Sequence, residues 1–327
     1  MSISIQIFDQ NKNEDWNSFV DKSINGNFLH TRSFYDSNPK NSTDDLSFFF
    51  VKKNKIIAIL GGVLYEQNNS LIFHSHLRST YGGFIINQQV GVLESIQMVG
   101  LLIEELKKRQ VNKVIIRNPF RIFYSKISDE VEYALWYHDF TIQSRELEIY
   151  VDLKLPLDTI RKSYDNGTKY NIKKALKSVS VEKSSLDLLP SFWEILETNL
   201  ALKFNKKPVH NLSEIQTLIS NTGDNVYFFG AYLDNKLVGG CLIFKINNLA
   251  LHAQYIAQDD SYQEFRPINA VLDYIIQWGK ENGFSYFNLG TANEGGKIIN
   301  EGLFHFKESF GGRGVLRETH QLTLSYE

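Results

Sequence analysis

VYFFGAYLDNKLVGGCLIF, residues 226 to 244, reads as an apolar strand, a two-residue turn at Asp234-Asn235 and a second apolar strand. The same plan occurs at FFFVKKNKIIAILGGVLY (48–65), with its turn at Lys53-Asn54. A short polar break follows each hairpin (QNNS; INN), then a third strand carrying a histidine, LIFHSH or LALHAQYIA. An irregular loop and an amphipathic helix come next. Ile96, Val99, Gly100 and Ile103 keep helical spacing in one copy, and Ile268, Leu272, Ile275, Ile276 and Gly279 in the other. Each helix leads into a further strand, KVIIR or YFNLG. The order strand-strand-strand-helix-strand thus occurs twice, offset by roughly 170 to 180 residues. The expected fold is two copies of one α/β unit, each a mixed, mostly antiparallel sheet flanked by helices. Pro156, in LKLPLD (153–158), interrupts two strand-like stretches, which places the boundary between residues 1–155 and 156–327.

Length agrees with two domains: 327 residues exceed what one core usually holds. A formal net charge of -2 gives no global basic field to argue for nucleic acid and leaves room for a local basic patch. The start, MSISIQIFDQNKNEDW, lacks the pattern of a signal peptide, and the longest apolar run (56–65) is about half of what a membrane span needs. No transmembrane segment and a cytoplasmic location are expected. Cys241 is the single cysteine and reads as a core residue.

The stretch INEGLFHFKESFGGRG (299–314) sets a lysine among phenylalanines. A helix over 300–310 ending at Gly311-Gly312 buries Leu303, Phe306 and Phe310 and leaves Lys307 at the edge of that stripe. Lys307 is then either a snorkelling residue with its stem on apolar surface or a cation in a partly dry cleft, where it could stabilise an oxyanion or a phosphate on a donor. His252 and Tyr255 share a strand, and their odd spacing puts them on opposite faces. His252 is a candidate general base or a hydrogen-bonded core histidine, and His74 holds the matching place in the first copy. His74 and His76 lack the acidic or thiol companions of a metal site, so no metal is expected. Tyr81-Gly82-Gly83 is either a plain turn or exposed backbone that an acceptor can approach. Lys169, Lys173 and Lys177 align on one face of a basic segment, 161–177, as a solvated face or a phosphate contact. No base-reading motif supports DNA as a partner. No Ser-His-Asp order or Gly-x-Ser-x-Gly elbow supplies a covalent nucleophile, so direct attack on a bound donor is the simpler chemistry.

The repeated order resembles the GNAT acyltransferase fold. Gly283, Tyr286, Phe287 and Gly290, then Gly302, Leu303, Phe306, Lys307, Phe310 and Gly311, resemble the closing segment of the Fem-type aminoacyltransferases and their acyltransferase relatives, which are tandem GNAT repeats. SYDNGTKYNIKKALKSVSVE (163–182) resembles the basic helix that opens their second repeat. The resemblance implies an N-acyltransferase that moves an acyl group from acyl-CoA to an amine on a sugar or peptidoglycan-type precursor. The first repeat would face the acceptor, through Arg78, Tyr81, Gly82 and Gly83. The second would handle the donor, with Lys307 and His252 catalytic, Tyr255 in the acyl gap, and Arg266, Asn269 and Lys173 on the donor itself. Aminoacyl-tRNA is the alternative donor, and an inactive glycan-precursor binding module the alternative of another class. Two features depart from the pattern. The loop QDDSYQEFRPIN (258–269) has no glycine for a pyrophosphate cradle, and the 183–225 segment is short for the long helical hairpin of many transfer-RNA-using members.

Overall fold

The computed structural model describes residues 2–37, 44–77, 79–295 and 297–326. They divide into two compact units, Met1–Glu146 with Leu316–Glu327, and Leu147–Val315. The boundary differs from the expected 155/156. The strand crossing the observed boundary, between Glu146 and Leu147, runs unbroken from Thr141 to Asp152, and its residues from Glu148 onward pair within the second unit. Residues from Leu316 onward belong to the first unit, because Thr319–Thr323 pair with Arg117–Lys113.

The first unit contains β1 (Ser4–Ile7), α1 (Asn13–Lys22), α2 (Arg32–Asp36), β2 (Asp44–Asp45), β3 (Phe48–Lys52), β4 (Lys55–Leu60), β5 (Val63–Gln67), β6 (Ser70–His74), β7 (Phe84–Ile86), α3 (Val92–Lys108), β8 (Lys113–Arg117) and α4 (Glu130–Tyr137). The β3–β4 hairpin turns at Lys53 and Asn54, both at positive φ (52° and 59°), as its sequence predicts. Its second strand is not continuous through IIAILGGVLY. β4 pairs with β3 and β7, whereas β5 pairs with β2 and β6 in another sheet. The break falls on Gly61 and Gly62, where a Cβ would lie 2.5 Å from the Tyr35 ring and 2.2 Å from the Phe73 ring. Glycine is required there because aromatic side chains occupy the space, and the chain changes sheet at that point. Phe48, Phe50, Phe73, Met98, Leu102, Leu106 and Val114 form the core between sheets and α3.

The second unit starts within β9 (Thr141–Asp152) and continues through α5 (Leu157–Ser163), α6 (Asn166–Ala175), β10 (Ser180–Ser184), α7 (Leu189–Phe204), α8 (Leu212–Thr222), β11 (Val226–Leu233), β12 (Lys236–Lys245), β13 (Ala250–Gln258), α9 (Pro267–Glu281), β14 (Tyr286–Thr291), β15 (Asn293–Gly295), β16 (Ile298–Ile299) and α10 (Glu301–Glu308) into β17 (Arg313–Thr323). Its sheet has the order β10-β11-β12-β13-β14-β9, and only β13–β14 within it is parallel. Asp234 and Asn235 turn the β11–β12 hairpin at positive φ. α9 covers one face, its Leu272, Ile275 and Ile276 packed with Phe229, Cys241, Ile243 and Phe287. The 183–225 segment folds as two helices. α7 lies on the opposite face through Phe192 against Phe228 and Trp193 against Tyr255. No helix among the described residues is long and apolar enough to cross a membrane.

Candidate active site

The site grows from a defect in the second unit's sheet. β13 and β14 pair in parallel from Ala250–Tyr286 to His252–Asn288, and the pairing stops there although both strands continue. A bulge marks each strand at that point. Ala253 pairs with Ile243 and Tyr255 with Leu242, which leaves Gln254 as the extra residue of β13. On β14, Asn288 pairs with Tyr150 and Gly290 with Ile149, so Leu289 is extra. Gly290 has φ 80°, a conformation other residues adopt at a cost, and its Cβ would lie 3.5 Å from Lys307 Nζ and 3.8 Å from His252 Cε1.

The β13 bulge overturns the expectation that His252 and Tyr255 face opposite ways. Their partners on β12, Phe244 and Leu242, are two residues apart, so all four side chains share the face away from α9. Period-two counting fails wherever an extra residue enters the strand.

Lys307 lies on the inner face of α10. It is 5% exposed, the one buried residue of α10, while Leu303 and Phe306 of the expected stripe are half-buried. Its Nζ donates to the Thr291 carbonyl at 2.5 Å. This amine points inward and does not snorkel. Beside it lies Glu148, 1% exposed, whose position on β9 pairs with Thr291. Asn288 Nδ2 donates to Glu148 Oε2 at 3.1 Å, and Asn288 Oδ1 accepts from Gly290 N at 2.7 Å, which fixes the bulge and the carboxylate together. Burial pulls Lys307 below the usual lysine range, and the Glu148 charge opposes that pull. Burial likewise pushes Glu148 up, against the Asn288 hydrogen bond and the Lys307 charge. Burial, then the Lys307 charge, lowers His252 to about 4, so its ring is neutral near pH 7, with Nδ1 buried and unpartnered.

Beyond the parting strands a cavity of about 420 Å³ follows the unpaired end of β13. Ile256, Ala257 and Gln258 line it, together with Gly167, Thr168 and Asn171 of α6 and Gly302, His305 and Phe306 of α10. Arg266 and Asn269, at the start of α9, also line it. Arg266 sits at φ 57° before Pro267, with its Nε buried and unpartnered, and α9 starts without a side-chain cap. The Arg266 side chain and the uncapped start of α9 therefore lie at one wall of the cavity, an arrangement suited to an anion. Lys307 and His252 lie outside this lining, though Phe306, next to Lys307, belongs to it. Tyr255 is outside too: its hydroxyl accepts from His210 N at 3.2 Å and meets His210 Nδ1 at 2.8 Å. Lys173 is exposed and likewise outside, because α6 turns Thr168 and Asn171 inward. No group of three or more potential metal ligands occurs among the described residues.

In the first unit, Arg78 falls outside the described residues. Tyr81 is 1% exposed and packs on Phe120 at 5.4 Å, Phe123 at 5.8 Å and His30 at 5.6 Å. A Cβ on Gly82 would meet the Ser75 carbonyl at 2.5 Å, and one on Gly83 (φ 83°) the Asn118 side chain at 2.3 Å. These glycines admit neighbouring protein, which fits the plain turn of the two readings and not the open backbone.

No protein-family model matches the chain, and no curated protein matches it. Solved structures do. Over 98% of this chain and 97% of the other, it is similar to FemX, with 12% identity and a TM-score of 0.74. A tandem GNAT protein from the clavulanic acid biosynthesis pathway is similar over the whole of both chains, at 9% identity and a TM-score of 0.57. The L-PGS from Bacillus licheniformis is similar over 95% of this chain and 91% of its own, at 14% and 0.57. At these identities the likeness establishes the fold alone, a tandem GNAT-like architecture.

Proposed function

We propose that this chain is an N-acyltransferase that uses an acyl thioester of the CoA type and an amine on a sugar or cell-envelope precursor. The observation that carries the reading is the parting of β13 from β14 between a buried ammonium and a cavity of about 420 Å³. Unpaired strand amides are hydrogen-bond donors for a carbonyl, and the cavity suits the polar remainder of a donor. The amine nitrogen attacks the carbonyl carbon, a C–N bond forms, and charge develops on the carbonyl oxygen. The C–S bond then breaks, and the thiolate leaves and takes up the proton the amine sheds. Lys307 supplies positive potential at the parting, and a dry surrounding strengthens it. His252 enters the reaction neutral, able to accept a hydrogen bond but a weak base. FemX and L-PGS among similar folds support an acceptor or donor from cell-envelope chemistry by analogy alone. A second reading, aminoacyl-tRNA as donor, is favoured by the exposed Lys169, Lys173 and Lys177 of the basic segment.

A thermal-shift titration with acetyl-CoA, longer acyl-CoAs and an aminoacyl-tRNA pool, at low and moderate salt, tests both. An acyl-CoA is expected to raise the melting temperature at either salt. A rise with aminoacyl-tRNA alone, lost at moderate salt, replaces the donor. No rise with any refutes the transferase reading in favour of a binding module.

A further inference from the structure

We propose that Glu148 is a positioning residue for Lys307: its buried carboxylate, set opposite Thr291 on β9, keeps the Lys307 ammonium charged and aimed at the Thr291 carbonyl. The inference rests on the reading of Lys307 as the cation of the acyl-transfer site. The Thr291 carbonyl gives that amine a hydrogen bond but no countercharge, and an ammonium this deeply buried without one loses its proton. Two buried carboxylates occur in the described residues of the second unit, Glu148 and Asp273. Asp273 is engaged elsewhere, accepting from Arg161 at 2.7 and 3.0 Å and from the Tyr164 hydroxyl at 3.0 Å. Glu148 is the buried carboxylate whose charge acts on Lys307.

The geometry supports a fixed position. Register puts Glu148 against Thr291, whose carbonyl holds Nζ, and Asn288 ties Oε2 to the bulge that ends in Gly290. Three strands meet the lysine. β9 presents Glu148, β13 presents His252, and β14 presents the uncharged Asn288 and Thr291. On α10 itself Glu301, His305 and Glu308 are exposed and turned away. His252, neutral, adds no opposing charge so long as Lys307 keeps its own. The carboxylate therefore acts through the lysine and the lysine on the reaction, without Glu148 lining the cavity.

The test reads the lysine directly and needs no substrate. The full chain is labelled with lysine carrying ¹³C at Cε, the Lys307 resonance is assigned by its loss in Lys307→Arg, and its titration is followed from neutral to alkaline pH. In Glu148→Gln the midpoint is expected to fall by at least one pH unit, about a tenfold loss in proton affinity. Glu148→Asp, which restores the carboxylate, should return most of it. Asn288→Ala, which removes the donor to Oε2, should lower the midpoint by less and serves where Glu148→Gln fails to fold. Unchanged midpoints in the variants that fold overturn the proposal. Acyl-CoA thermal shifts are independent of this result: their absence refutes the transferase reading and leaves the charge relation standing, whereas an unmoved midpoint refutes the charge relation alone.

Discussion

Replacing Lys307 by methionine, Glu148 by glutamine, and both together yields a double-mutant cycle whose energies the burial of the pair bounds. Lys307 is 5% and Glu148 1% exposed, so neither stranded charge can turn to water. In Lys307→Met the remaining carboxyl escapes by taking a proton. For a group of ordinary pKa 4.5 that costs at most about 3 kcal/mol at pH 7, and nothing below its ordinary value. In Glu148→Gln the amine escapes by losing a proton, at most about 5 kcal/mol at pH 7 for an ordinary value of 10.5 and about 2 kcal/mol at pH 9. The two single variants thus have opposite pH signatures: the methionine penalty shrinks on acidification, the glutamine penalty on alkalinisation. The double variant buries no charge and should be within about 1 kcal/mol of the wild type or more stable by a few. Urea unfolding at pH 5, 7 and 9 measures all four corners. Additive single penalties without pH dependence would refute the claim that these two groups are electrostatically joined. A double variant as stable as the wild type, yet inactive, would show that the pair is kept for chemistry.

Three further outcomes follow from the same geometry. Burial holds His30 and His74 of the first unit at about 4, below the ordinary 6.5. Each contributes stability that is complete above pH 6.5 and lost as pH falls toward 4, about 3 kcal/mol apiece. Glu132, pushed up to about 7 by burial, works the other way over pH 4.5 to 7 by a similar amount, so the histidines win and the melting temperature should fall between pH 6.5 and 4. A flat profile in calorimetry would refute this. Gly290→Ala forces a side chain into φ 80° and should cost about 1–2 kcal/mol in chemical denaturation, mainly from backbone strain, since its nearest contacts at 3.5 Å are ordinary. Tyr255→Phe removes the hydroxyl that His210 engages and should cost about 1 kcal/mol in melting experiments while leaving any acyl-CoA shift intact; a lost shift would return Tyr255 to the binding site.

The repeated hairpins were legible because Lys53-Asn54 and Asp234-Asn235 announce their turns and apolar runs flank them. The Gly61-Gly62 crossing was not, since what forbids a side chain there is Tyr35 and Phe73, one of them distant in sequence. Lys307 could be singled out but not oriented: spacing put it at the edge of a stripe, and its inward turn depends on Thr291 and Glu148. Glu148 itself alternates with Leu147, Ile149 and Val151 on β9 and reads as a solvent-facing strand residue. Its burial comes from elements more than a hundred residues later, which no local pattern encodes. The faces of His252 and Tyr255 were misread for a smaller reason, the one extra residue at Gln254.

The first unit is interrupted in sequence, and this affects how the protein is made. Residues 147–315 form an excursion, after which Arg317 pairs with Glu146 and Glu318 accepts from Arg145 Nε at 2.5 Å, two ties across the points of departure and return. The partner strand of Lys113–Arg117 is therefore translated after every residue of the second unit. On the ribosome, β8 emerges with one apolar edge unpaired and waits for some two hundred residues to be added. The half synthesised first is the half completed last, and a nascent chain arrested before Leu316 would carry a finished second unit and an unfinished first.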